Sequence, residues 1–105
     1  MKFKVKKPKS ISLMFPLYKD KTTVKSMIFK SLKVLKKTKL KFEIVIVDDG
    51  CPENSGMIAK KMSKKNSRIR VYFHKKNLGY GAAVRTGLKN CRHECIFATD
   101  GDDEY

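Results

Sequence analysis

Phe42-Glu43-Ile44-Val45-Ile46-Val47-Asp48-Asp49-Gly50 decides the fold. A run rich in β-branched residues that closes on two acids and a glycine reads as a buried strand running into a turn. Three further strands are legible around it. Ile11-Ser12-Leu13-Met14-Phe15 stops at Pro16, Ile69-Arg70-Val71-Tyr72-Phe73 stops at His74, and Cys95-Ile96-Phe97-Ala98 is the fourth. Helical patterns fill the gaps. In the first, Val24, Met27, Ile28, Leu32 and Leu35 recur at three- and four-residue spacing, and Lys25, Lys30, Lys33, Lys36 and Lys37 lie off that stripe. Thr22 or Asp20 is its expected N-cap. A second helix is predicted from about Ser55 to Lys65, with Met57, Ile58 and Met62 on its apolar side. A third runs from about Gly81 to Asn90, where Gly81, Ala82, Ala83 and Gly87 allow close approach to a sheet.

Strands alternating with helices imply an α/β fold with a parallel sheet and right-handed crossovers. Ligands of such sheets bind beyond the carboxyl ends of the strands. That rim collects Pro16 to Asp20, Asp48-Asp49, His74 to Gly81 and Asp100 to Glu104. The opposite ends offer Lys7, Lys9, Lys39, Lys41 and Arg68, which read as ordinary surface residues. His74 has no partner identifiable from sequence and is given no role.

Asp100-Gly101-Asp102-Asp103-Glu104-Tyr105 gathers acids that repel one another. Either a hard divalent cation balances them, with open coordination positions for a phosphate, or they form a solvated acidic turn. Asn77-Leu78-Gly79-Tyr80-Gly81 superficially fits a dinucleotide-binding fingerprint, but Val84 stands where the third glycine belongs and the segment follows the third strand. Arg85, one turn into the helix, is placed to meet a phosphate.

Charge is uneven. Residues 1–41 hold 14 Lys against one acid, a net +13, within a chain of 105 residues and net charge +15. A basic half of this kind suits nucleic acid or an anionic membrane. Nucleic acid is disfavoured because those 41 residues contain no Arg and no stacking platform of aromatics. The three cysteines are an odd set and suit a reducing compartment. Cys91-Arg92-His93-Glu94-Cys95 lacks a second ligand pair and reads as structural, not as a metal hook. No apolar stretch is long enough to span a bilayer.

Four ordered segments carry a resemblance: Ile11 to Tyr18, Val45 to Gly50, Asn77 to Gly87, and Thr99-Asp100-Gly101-Asp102-Asp103. Together they resemble the N-terminal half of family 2 glycosyltransferases of the GT-A fold, in the dolichyl-phosphate mannosyltransferase-like branch. The resemblance implies a Rossmann-like nucleotide-binding half with a mostly parallel sheet of about four strands, incomplete as it stands. Residues 1–9 would be a basic N-terminal segment, and residues 10–105 the N-terminal nucleotide-sugar-binding part of the domain.

By the same resemblance, Pro16, Leu17 and Tyr18 line the nucleotide pocket, and Asp48 and Asp49 contact base and ribose. Gly79, Arg85, Asp100 and Gly101 complete the nucleotide site. Asp100 and Asp102 match the DxD carboxylates that hold Mg²⁺ or Mn²⁺ against the diphosphate, with Glu104 a further metal ligand. The donor would be a UDP- or GDP-sugar, the acceptor a polyprenyl phosphate or a glycan. The reaction would invert the anomeric centre, at the cytoplasmic side and at a membrane face. The family's general base lies in the second half of the domain, so residues 1–105 alone are expected to be inactive. Lys19-Asp20 and Cys51-Pro52 depart from the family pattern without removing a metal ligand. Two other readings stay open: a fragment of a dinucleotide-dependent oxidoreductase, and a basic module for nucleic acid or anionic membrane.

Overall fold

The computed structural model describes residues 9–17, 21–50, 55–93 and 95–98. Its elements are β1 (Ser10–Leu17), α1 (Lys21–Lys37), β2 (Lys41–Asp48), α2 (Ser55–Lys65), β3 (Ile69–Phe73), α3 (Tyr80–Asn90) and β4 (Cys95–Ala98). The four strands form one sheet in the order β3-β2-β1-β4, and every pairing is parallel. The doubly covered centre explains the unbroken apolar runs, since a parallel sheet with helices on both faces exposes neither side.

Alternation along the strands sorts side chains into two cores. Ile11, Phe15, Leu17, Phe42, Ile44, Ile46 and Ile69 pack with the α1 stripe and Ala59 of α2. On the other face Met14, Val45 and Val47 pack against Ala83 of α3. All five stripe residues of α1 are buried, and Lys33 and Lys36 are exposed, as the period requires. Burial of each such aliphatic side chain contributes about 1.5–3 kcal/mol. That outweighs the tenths of a kcal/mol by which Thr22, Thr23 and Val24 disfavour a helix. Packing, not propensity, holds α1.

Several expectations need correction. β1 does not stop at Pro16; it continues, with Pro16 opposite Val47 and Leu17 opposite Asp48. The described β4 ladder ends at Met14 opposite Ala98, so the missing proline amide breaks no bond on that side. Thr22 lies inside α1 and is not its N-cap, while Asp20 lies outside the described residues. Met57 is 48% exposed, whereas Ile58 and Met62 pack partly buried against the core beside the buried Ser55, Gly56 and Ala59. Of the small residues in α3, Ala83 and Gly87 face the sheet, whereas a Cβ on Gly81 would meet nothing. At Gly87 a Cβ would lie 1.9 Å from Met14 Cε, so any larger residue there requires the Met14 side chain to shift.

Candidate functional site

In a parallel sheet with helical crossovers, strand C-termini and helix N-termini share one rim. β2 delivers Asp48 and Asp49 to it, 4% and 7% exposed. Alternation sends successive side chains to opposite faces, and each acid meets the start of the helix on its own face. Asp48 Oδ2 accepts the Gly56 amide at 2.9 Å, in the first turn of α2. Asp49 accepts the Leu78 amide on Oδ1 at 2.8 Å and the Gly79 amide on Oδ2 at 2.9 Å. Gly79 is the N-cap of α3, with φ 99° and no side-chain cap of its own. Two adjacent carboxylates therefore satisfy the start of two helices, where N–H groups lack intrahelical partners.

Asp49 has a further partner. His74 Nδ1 lies 2.7 Å from Asp49 Oδ1, and His74 Nε2 lies 2.7 Å from Thr86 Oγ1 on α3. An ionised Asp49 is an acceptor and so takes a proton-bearing Nδ1, while Nε2 faces the Thr86 hydroxyl. Burial alone pushes the Asp49 carboxyl up. Hydrogen bonds from His74, Leu78 and Gly79, with the attraction of His74, outweigh it and hold the group below the usual carboxylate range. The His74 amide also donates to the Asp48 carbonyl at 2.8 Å. Gly50, at φ 69°, lets the loop pass close by: a Cβ there would sit 2.6 Å from the Asn77 nitrogen. His74, without a role in the sequence reading, is thus the bridge between β2, the Asn77–Gly79 loop and α3. Its position directly after β3, opposite the end of β2, was the available signal.

The other predicted site residues fall into two groups. Pro16 and Leu17 are buried at the end of β1, Gly79 is half-buried, and Arg85 is exposed on α3. Tyr18, Asp100, Gly101, Asp102 and Glu104 lie outside the described residues. β4, parallel to β1, ends at Ala98 on the same rim, and the acidic segment follows it in the chain. Among the described residues, no group of three or more His, Cys, Asp or Glu could hold a metal ion.

At the opposite end of the sheet Lys39, Lys41 and Arg68 are exposed as expected, but a buried polar cluster lies beneath them. Glu43, 5% exposed, accepts the Ser12 hydroxyl at 2.5 Å and the Arg92 amide at 2.6 Å, both on Oε2. Arg70 Nε stands 3.0 Å from Glu43 Oε1, an ion pair without hydrogen-bond alignment, and Arg70 also donates to the Asn90 carbonyl at the end of α3. The His93 amide closes the cluster on Ser12 Oγ at 3.0 Å. Burial alone raises the Glu43 carboxyl; the Ser12 and Arg92 hydrogen bonds, with Arg70 and His93, bring it below its ordinary value. Burial and the nearby Glu43 charge raise the Cys91 thiol, which donates to the Gly87 carbonyl. A protonated thiol is a poor metal ligand, in keeping with a structural role for Cys91. A charged residue inside an apolar strand run was the signal for this cluster.

Residues 12–105 match the family model described as glycosyl transferase family 2. An uncharacterized glycosyltransferase, EpsJ of Bacillus subtilis, is 37% identical over 93 residues, covering 89% of this chain and 26% of the relative. Dolichyl-phosphate beta-glucosyltransferase of Homo sapiens is 30% identical over 101 residues, 90% of this chain and 31% of that protein. Among solved structures, the mannosyltransferase PcManGT from Pyrobaculum calidifontis, in complex with GDP-Man and Mn²⁺, superposes with a TM-score of 0.69. It covers 92% of this chain and 28% of the other at 17% identity, a likeness of fold. The chain thus spans between 26% and 31% of the length of these proteins.

Proposed function

Because the chain belongs to glycosyl transferase family 2, we propose that it forms the donor-binding part of an inverting glycosyltransferase that moves a sugar from a nucleoside-diphosphate sugar to an acceptor. The observation that carries this is the rim itself. Asp48 and Asp49 fix the starts of α2 and α3 there, and β4 ends at the same rim, with Asp100 to Glu104 following it in the sequence. The rim is braced before any ligand arrives, which lowers the ordering cost of binding.

On this reading Pro16, Leu17 and Tyr18 line the nucleoside pocket, and Asp48 and Asp49 meet base and ribose. Gly79 and Gly101 admit the diphosphate backbone to backbone, and Arg85 on α3 supplies a cationic contact. Asp48 and Asp49 accept backbone amides of the protein; by the family resemblance the ligands for Mg²⁺ or Mn²⁺ would be Asp100, Asp102 and Glu104, whose hard oxygens suit such a cation. When bound, the cation neutralises charge that grows on the leaving diphosphate. The general base that deprotonates the acceptor is assigned to no residue of this chain. For the acceptor we favour a polyprenyl phosphate over a glycan, at the cytoplasmic face of a membrane. The support is the dolichyl-phosphate named for the human relative.

Titration calorimetry of the full chain with UDP and with GDP tests the reading. Binding is expected in Mn²⁺ or Mg²⁺, lost in EDTA and lost in Asp102→Asn. Equal affinity in EDTA would overturn the metal-bridged donor site.

A further inference from the structure

The two helices on one sheet face form a layer that donor binding does not use. α1 and α2 contain no Asp or Glu, yet they carry Lys21, Lys25, Lys30, Lys33, Lys36 and Lys37, then Lys60, Lys61, Lys64 and Lys65. Every one of these lysines whose side chain is described is exposed. Three apolar side chains stand exposed among them: Phe29 at 55%, Val34 at 63% and Met57 at 48%. Between the helices runs an open groove of about 800 Å³, lined by Lys25, Phe29, Ile58, Lys61, Met62 and Lys65.

We propose that this α1–α2 layer docks on an anionic lipid bilayer, with Phe29 entering the acyl boundary. Three features select that partner. Ten lysines without an acid give one sign of charge over a whole layer, which complements a surface of anionic headgroups. Neither helix contains Arg, so the layer offers point charges rather than the forked donors suited to discrete phosphates. Apolar groups interleaved with lysines match a surface that is charged above and hydrocarbon below. Among the described residues no helix is long and apolar enough to cross a membrane. The inference deepens the membrane-face part of the proposed function, but it rests on this layer alone.

Vesicle sedimentation with the full chain tests it, using phosphatidylcholine alone against phosphatidylcholine mixed with phosphatidylglycerol. Binding is expected only to the mixed vesicles, weakening as salt rises. Each lysine near such a surface is worth about fivefold in affinity, so the double variant Lys61→Gln, Lys65→Gln should lose roughly tenfold or more. Phe29→Ser should lose several-fold, a loss that persists in high salt because it removes insertion, not charge. The double variant Lys4→Gln, Lys6→Gln, in the basic N-terminal segment, should lose far less. Phe29, Lys61 and Lys65 are exposed, and unchanged circular dichroism of every variant would confirm intact folds. Equal binding to phosphatidylcholine alone, a larger loss from the N-terminal variant, or no effect of Phe29→Ser with tight binding to DNA would each overturn the docking layer. The calorimetric titration is independent: normal metal-dependent nucleotide binding with no vesicle binding would remove this inference and leave the donor site standing.

Discussion

Near one end of β2, Glu43 is gripped by a guanidinium, a hydroxyl and a backbone amide; just past the other, Asp49 is gripped by an imidazole and two loop amides. Both acids are buried and both are held ionised by their partners. The difference lies in what the partners belong to. Ser12 and Arg70 sit on strands, so the Glu43 cluster ties β1, β2 and β3 together and to the end of α3. Leu78, Gly79 and His74 sit on a connection, so Asp49 ties a loop to the sheet at the rim where a ligand would arrive. One end spends its buried charge on rigidity, the other on shaping a loop.

The largest effect is expected from breaking the rigid end. Glu43→Ala leaves the Arg70 guanidinium, whose side chain is 18% exposed, without its counter-charge. Removing one partner of a buried pair costs about 3–5 kcal/mol, and partial exposure of Arg70 places this case near 3 kcal/mol. A urea midpoint would register that loss, while nucleotide affinity per folded molecule should not move. A midpoint unchanged from the parent would mean that the cluster is incidental.

Asp49→Ala should cost less stability and more function. The loop keeps water as an alternative partner, so a loss of about 2 kcal/mol is expected for a carboxylate with three protein donors. Metal-dependent nucleotide affinity should fall more than tenfold, because the Asn77–Gly79 segment loses its anchor. His74→Ala should follow in the same direction with about half the stability loss. Destabilisation without any change in nucleotide affinity would make the two ends equivalent and erase the contrast.

The fold was legible because its signals are local. The α1 stripe, the bounds of α2, β3 and β4, and the placement of Asp48-Asp49 on the rim all follow from spacing within one element. Met57 and Pro16 were misread for the same reason. Whether a residue at the side of a short helix is covered, or a proline is tolerated, depends on which neighbours the topology supplies. The polar clusters were illegible for a stronger reason: Glu43 meets Ser12 across 31 positions and Arg92 across 49, and Asp49 meets His74 across 25. Nothing in the sequence states that pairing, although a Glu within Phe42–Val47 announces that some partner must exist. Asp48 and Asp49 were legible as rim residues, but not as caps of two different helices, because that depends on which face each helix covers.

Acid offers the smallest and most discriminating test of the two ends. Both carboxyls are shifted downward in the folded protein, Glu43 from 4.5 and Asp49 from 3.8. A group whose folded value is depressed contributes stability that is complete above its unfolded value and is lost as pH falls through the folded one. The urea midpoint should therefore be flat between about pH 7 and 5 with respect to these groups and fall below about pH 4. Glu43→Gln should flatten that fall by removing the proton uptake at the rigid end, and Asp49→Asn should flatten it by removing uptake at the rim. Only the second substitution should also alter nucleotide affinity at neutral pH, since it exchanges a charged acceptor of loop amides for a neutral one. If the variant carrying both substitutions still lost stability as steeply below pH 4 as the parent, other carboxyls would carry the acid response. The shared ionisation that makes the two ends comparable would then have no energetic consequence.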